Sequence, residues 1–317
     1  MADAVELKVC IRCRPFSVKD RAGIILEQLG ETKGEARIVN AEQERARGPN
    51  RYGFAYTWCS AYNYKKFLSA DDDENLQVYQ QLKQISQEDV YESVGKKMLK
   101  ELLHGQAVVM FAYGLSGAGK TYTVFGTDDP NSPQAWYKFN RPDENWGLFP
   151  RIAYDLLQMA AKHTGWKVRV KYFQNVVDDV KDLLTPQAPS KNYKRGMHVD
   201  SHGFMDITWC RSVEVSTWDE LLGILNEANS RKSIAPTQFN PSSTRGHCIL
   251  FYEVDMPGIL HEGVTTTARM YVCDLAGAEP AADVHWANYK RIDVGNGRLE
   301  YEYEGRHSDK SKTQHLI

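Results

Sequence analysis

No stretch of the 317-residue chain approaches the roughly 20 consecutive apolar residues that a membrane-spanning helix requires. Its start, Met1 to Lys8, lacks the basic-then-apolar layout of a secretion signal, so a cytosolic chain with no membrane partner is the expectation. Charge of one sign is missing too: 39 Lys+Arg stand against 41 Asp+Glu, a net charge of −2. No global field draws such a chain to nucleic acid, which is not expected as a partner. The six cysteines (Cys10, Cys13, Cys59, Cys210, Cys248, Cys273) are scattered, and most sit in apolar runs where a free thiol acts as a small hydrophobe. Cys10 and Cys13, a close pair, fall on opposite faces of an alternating strand and do not suit one metal. There are no internal repeats and no sustained low-complexity tracts. With 42% hydrophobic and 25% charged residues, the composition suits a globular protein of one large domain or two small ones.

The elements follow from periodicity. Leu7–Phe16 alternates as a half-buried strand that Pro15 stops. Gly30–Asn50 is charged and reads as a loop or weak hairpin, and Asp71–Glu74 as a solvated insertion. Val90, Val94, Met98, Leu99 and Leu102 recur at helical spacing over Gln87–Leu103, with Ser86 or Ser93 as a cap. Ala107–Ala112 is apolar throughout, as expected of a strand covered on both faces. A long polar loop, Thr123–Asn145, leads to a helical run at Ile152–Ala161. Trp166–Phe173, Cys248–Val254 and Arg269–Cys273 read as strands, and the Thr217/Glu220 spacing is a capping box opening the helix Leu221–Ala228. Ala281–Ile317 takes no firm assignment. The alternation of strands and helices predicts an α/β fold on a mixed sheet.

Three segments carry chemistry. Gly114-Leu115-Ser116-Gly117-Ala118-Gly119-Lys120-Thr121 fits G-x-x-x-x-G-K-[ST] and follows an apolar strand, the context in which this pattern cradles phosphates. Glycines let backbone N–H groups turn toward phosphate oxygens, Lys120 reaches the β- and γ-phosphates, and the Thr121 hydroxyl joins a Mg²⁺ shell. Met270–Gly277 is an apolar strand ending in Asp274, with Gly277 three residues on, suited to holding the metal shell and sensing the γ-phosphate. Asn240-Pro241-Ser242-Ser243-Thr244-Arg245-Gly246-His247 is hydroxyl-rich and, taken alone, also reads as a turn.

In this order the segments resemble the nucleotide site of a kinesin motor domain. Phe111-Ala112-Tyr113-Gly114 resembles the family's approach to the phosphate loop, Ser243–His247 its first switch, and Asp274-Leu275-Ala276-Gly277-Ala278-Glu279 its second. Arg12-Cys13-Arg14-Pro15 is similar to the R-x-R-P element that packs against adenine. Gln87–Tyr91, Gly147–Arg151 and Asp182-Leu183-Leu184 agree, so the resemblance is strongest over residues 7–279. It implies a P-loop NTPase fold, a kinesin-type mixed central sheet with helices on both faces, as one motor domain over residues 1–317. It also implies ATP and Mg²⁺ as cofactors, ATP hydrolysis, microtubules as partner, and a cytoplasmic, cytoskeletal location. Arg14 and Pro15 would flank the adenine with Tyr122 opposite. Asn240 and Ser243 would approach the γ-phosphate or attacking water, and Thr244 the Mg²⁺. Arg245 and Glu279 would close the site as a salt bridge, Asp274 would bind metal-held water, and Gly277 would sense the γ-phosphate.

The sequence departs from the family's usual motifs at Leu115, at Gly246 and Ala278, which each remove a hydroxyl, and at Pro280, which restricts the backbone. After Glu279 it resembles an expanded loop and the possible start of the filament-binding helix. The last helices and strand, and most of the microtubule-binding surface, are expected to be missing. The alternatives are a non-motile nucleotide-binding or structural module, or a fragment unable to bind microtubules. A GTPase-type switch would also carry D-x-x-G, but no N-K-x-D base-reading segment accompanies it.

Overall fold

Two ten-residue or longer strands, β13 (His247–Pro257) and β14 (Thr265–Asp274), pair antiparallel along their length in the computed structural model and form the centre of the main sheet. The structure describes residues 7–14, 23–28, 34–39, 51–60, 84–115, 117–128, 132–176, 179–185, 198–199, 205–207, 209–232, 246–278, 289–293 and 299–303. The chain divides into two compact units, Met1–Val90 and Tyr91–Ile317.

In the first unit, β1 (Cys10–Cys13), β5 (Tyr56–Ser60) and β6 (Gln84–Ile85) form a parallel sheet. Strands β2 (Gly23–Gln28), β3 (Gly34–Val39) and β4 (Arg51–Phe54) form an antiparallel meander. β1 is shorter than its period suggests, since Leu7 and Val9 are 70% and 49% exposed. The weak hairpin expected over Gly30–Asn50 is β3, whose flanking strands lie outside that stretch. Ser86 caps the short helix α1 (Gln87–Val90): its N–H and hydroxyl donate to Asp89 Oδ2, and its Oγ accepts the Asp89 N–H.

The second unit opens with a π-helical turn, Tyr91–Gly95, followed by α2 (Lys96–Leu103). The helical period expected over Gln87–Leu103 is there, interrupted by this turn. A Cβ on Gly95 would stand 2.3 Å from the Tyr91 ring, a close approach that only glycine permits. The sheet runs β12 (Val213–Val215), β8 (Lys167–Val176), β13, β14, β7 (Ala107–Ala112), with β9 (Asp179–Asp182) paired to β8. Among the described strands of this sheet, β14 and β7 run parallel and the other pairs antiparallel, so the sheet is mixed as expected.

Leu250, Tyr252 and Val254 of β13 are fully buried on one face, where Phe149 of helix α4 (Leu148–Ala160) stacks on Tyr252 at 5.8 Å. Helix α5 (Trp218–Asn229) reaches the same face, with Asn229 accepting the Tyr172 hydroxyl at 3.4 Å. Its Thr217 capping box is formed, with Oγ1 accepting the Glu220 N–H and the Glu220 carboxylate accepting the Thr217 N–H. On the other face, Arg169, Glu253 and Arg269 form a charged row across three strands. There β7 differs from the sequence expectation: Val109 and Phe111 are 60% and 52% exposed while Val108 is buried. A uniformly apolar run holds no alternation, so it cannot report which face is covered.

Trp136 and Trp146 are packing anchors, 1% and 0% exposed. Trp136 stacks on Phe125, and Trp146 lies 4.6 Å from Trp218. Cys210 and Cys248 are buried, and burial pushes the Cys248 thiol up to about 12, as befits an inert core residue. Residues 289–303, given no assignment from sequence, contain the hairpin strands Tyr289–Asp293 (β15) and Leu299–Tyr303 (β16). Among the described residues, no helix is long and apolar enough to cross a membrane.

Candidate nucleotide site

Strand β7 delivers Ala112 level with Asp274, its register partner at the end of β14. The segments leaving both strands therefore emerge side by side at the carboxyl edge of a parallel pair, where open α/β sheets place ligands. From β7 the chain turns through Gly114–Gly119 into a short helix, α3 (Lys120–Val124). Gly119 caps α3 with φ at 92°, and Gly114 and Gly117 also have positive φ, at 151° and 75°. A side chain is strained in such backbone, which is why the motif spends glycines here. Lys120 Nζ donates to the carbonyls of Gly114 at 3.0 Å and Leu115 at 2.9 Å, which holds the ammonium over the loop.

Across the strand boundary, Thr121 Oγ1 donates to Asp274 Oδ2 at 2.7 Å. Asp274 is 5% exposed, and its Oδ1 is buried with no hydrogen-bond partner. Burial pushes its carboxyl above the usual range, opposed first by the Thr121 bond and then by the Lys232 and Lys120 charges. A buried carboxylate oxygen without a donor is costly, and a hydroxyl beside a carboxylate is an oxygen set that hard divalent cations take. Thr121 and Asp274 therefore fit the implied Mg²⁺.

Two further bonds close the loop against the segment after β14. The Ala278 N–H donates to the Gly114 carbonyl at 3.1 Å, and the Ala276 N–H donates to His247 Nδ1 at 3.1 Å. The first joins the segment after β14 to the Gly114–Thr121 loop. The second joins it to the first residue of β13, His247, which is also the last residue of the expected first switch. Gly277 sits between these two anchors, partly buried.

The structure thus brings together Gly114, Leu115, Gly117, Ala118, Gly119, Lys120, Thr121, Asp274 and Gly277. Tyr122 follows in α3, 41% exposed. Pro15, Ser116, Asn240, Ser243, Thr244, Arg245 and Glu279 lie outside the described residues. Arg12 and Arg14 belong to the first unit, where Arg12 Nε donates to Ser60 Oγ at 3.0 Å and Nη1 to Gln87 Oε1 at 2.7 Å. Asp182, noted for its place in the Asp-Leu-Leu triplet, ties β9 to its surroundings: it accepts the Leu184 N–H, the Thr185 hydroxyl and the Arg211 N–H. Arg151 of the Gly147–Arg151 stretch pins the preceding loop through the carbonyls of Trp146 and Asp143. Sequence reasoning gave no role to His247 or Lys232. His247 could have been suspected from its place in the hydroxyl-rich stretch, whereas Lys232 stands alone, outside any pattern.

The kinesin motor domain family profile matches residues 12–295. Kinesin-like protein KIF1C of Homo sapiens is 24% identical over 302 residues, covering 92% of this chain and 24% of that protein. Kinesin-like protein unc-104 of Caenorhabditis elegans is 26% identical over 288 residues, 87% of this chain and 16% of that protein. Human kinesin-1 heavy chain is 29% identical over 197 residues, 61% of this chain and 19% of that protein. The chain thus spans a quarter or less of the length of these relatives. A solved structure described as a fast kinesin superposes with a TM-score of 0.61 at 21% identity, covering 86% of this chain and 66% of that one, which carries the fold. With the profile spanning most of its length and a kinesin-like fold beneath the Gly114–Thr121 loop, the chain belongs to the kinesin motor domain family.

Proposed function

We propose that this chain binds ATP with Mg²⁺ at the Gly114–Thr121 loop and hydrolyses it, as the motor portion of a microtubule-linked, cytoskeletal protein. The observation that carries the reading is the Thr121–Asp274 hydrogen bond with the second Asp274 oxygen buried and unpaired. Mg²⁺, when bound, neutralises phosphate charge and orients the β- and γ-phosphoryl oxygens. The chain's own residues do the rest. Lys120, now on the Gly114 and Leu115 carbonyls, is placed to exchange them for phosphate oxygens, a gain because charged hydrogen bonds are the stronger kind. The backbone N–H groups of the loop would orient the phosphate chain, and the Gly277 N–H would donate to its terminal group. Phosphoryl transfer needs positioning and charge neutralisation more than covalent chemistry, and these residues supply both.

Coupling to a filament would pass through the Ala276–His247 and Ala278–Gly114 bonds, which tie the second switch to both neighbouring segments. Equilibrium binding of a fluorescent ATP analogue, with Mg²⁺ and with EDTA, tests the nucleotide reading. Affinity should fall by about 10-fold or more in EDTA and by a similar factor in Thr121→Ala. Equal affinity in all three arms would refute it. Cosedimentation with microtubules that differs between a non-hydrolysable ATP analogue and ADP tests the coupling, and nucleotide-independent binding would favour the non-motile module.

A further inference from the structure

Lys232 is a buried cation that the nucleotide reading leaves without a role. It follows α5 and is 8% exposed. Its ammonium stands 5.1 Å from the centre of the Phe125 ring and 5.5 Å from that of Tyr172. Burial alone would lower its pKa, but contact with Tyr172 and the nearby Asp128 carboxylate outweigh burial and raise it, so the group stays charged. Asp128 is itself fixed, accepting the Trp136 Nε1–H at 2.8 Å. The neighbouring Arg231 donates to the Leu183 carbonyl at 2.7 Å, which anchors the backbone from which Lys232 projects.

The Phe125 contact matters because of what Phe125 holds. Its N–H donates to the Thr121 carbonyl at 2.7 Å, and the Gly126 N–H donates to the same oxygen at 3.2 Å. Thr121 is the residue whose hydroxyl meets Asp274. A continuous path therefore runs from the ammonium through the Phe125 ring and backbone to the Thr121 turn. Helix α3 has only five residues, too few to hold its own end, so its last turn depends on such an outside anchor.

We propose that Lys232 is a positioning residue for the nucleotide site, its buried ammonium gripping the Phe125 ring and so fixing the turn that presents the Thr121 hydroxyl to Asp274. The role in Mg²⁺-dependent binding rests on the nucleotide reading above, whereas the grip on α3 does not. Lys232→Met keeps the length and apolar stem and removes the charge, while Lys232→Arg keeps the charge and stacks on aromatic rings.

Hydrogen exchange of the protein without nucleotide reads the grip. In Lys232→Met, exchange of the Phe125 and Gly126 amides should rise by about 10-fold, with β13 and β14 unchanged, and Lys232→Arg should return it to within about threefold of wild type. Asp128→Asn, which weakens the charge pairing without touching α5, should move the same amides in the same direction. The ratio of nucleotide affinity with Mg²⁺ to that in EDTA reads the consequence, and should shrink in Lys232→Met and recover in Lys232→Arg. Unchanged exchange in Lys232→Met and Asp128→Asn, or an arginine variant as perturbed as the methionine one, would overturn the proposal. A wild-type protein that binds no nucleotide would defeat the nucleotide reading while leaving the exchange result to decide the grip.

Discussion

At Gly147 the backbone leaves no room for a side chain: a Cβ there would lie 2.7 Å from Gly126 N and from the carbonyl carbons of Phe125 and Val124. The Gly147 N–H donates to the Phe125 carbonyl at 2.9 Å, closing the base of the loop that Trp136 and Trp146 anchor. All three obstacles are backbone atoms, which cannot rotate aside. Gly147→Ala should therefore destabilise the fold by about 2–4 kcal/mol, read as a lowered midpoint in chemical denaturation. A midpoint unchanged from wild type would contradict the close approach. At this scale the sequence is legible where spacing is dictated by chemistry, as at Gly114–Thr121 and Asp274. It is silent where one side chain works through partners far along the chain. Lys232 meets Phe125 and Tyr172 only because β8, α3 and the exit from α5 converge, and no local pattern announces that.

Elements were legible where a period or a cap imposed itself. Thr217 and Glu220 form their capping box and open α5 one turn earlier than the apolar run alone suggests. Thr217→Ala removes the side-chain acceptor of the Glu220 N–H and should cost about 1 kcal/mol, with Thr217→Ser retaining most of it. Equal losses in the two variants would mean the methyl group, not the hydroxyl, holds the helix start. β8, β13 and β14 extend beyond the strands expected because their ends are polar: Thr265, Thr266 and Thr267 continue pairing with Pro257, Met256 and Asp255 after the apolar signal stops. β2, and the β15–β16 hairpin were missed for a related reason. Their residues mix charge with aliphatic or aromatic groups, so no clean apolar period marks the strands that the pairing defines. The π turn at Tyr91–Gly95 preserves the helical period closely enough that periodicity passes over it.

Across the molecule, the second unit is organised around one junction, the parallel pair β7–β14 beside an otherwise antiparallel sheet. That pair sends the Gly114–Thr121 loop and the Asp274–Ala278 segment out together, and the Ala278–Gly114 and Thr121–Asp274 bonds close them on each other. Nucleotide chemistry at this junction is the central claim. The most direct test is single-turnover ATP hydrolysis with Mg²⁺ by the wild-type chain beside Asp274→Ala and Lys120→Ala. The account predicts measurable turnover in the wild type and a loss of about 100-fold or more in each variant, since each removes charge stabilisation that the transition state needs. Turnover in the wild type no faster than in the two variants would contradict it.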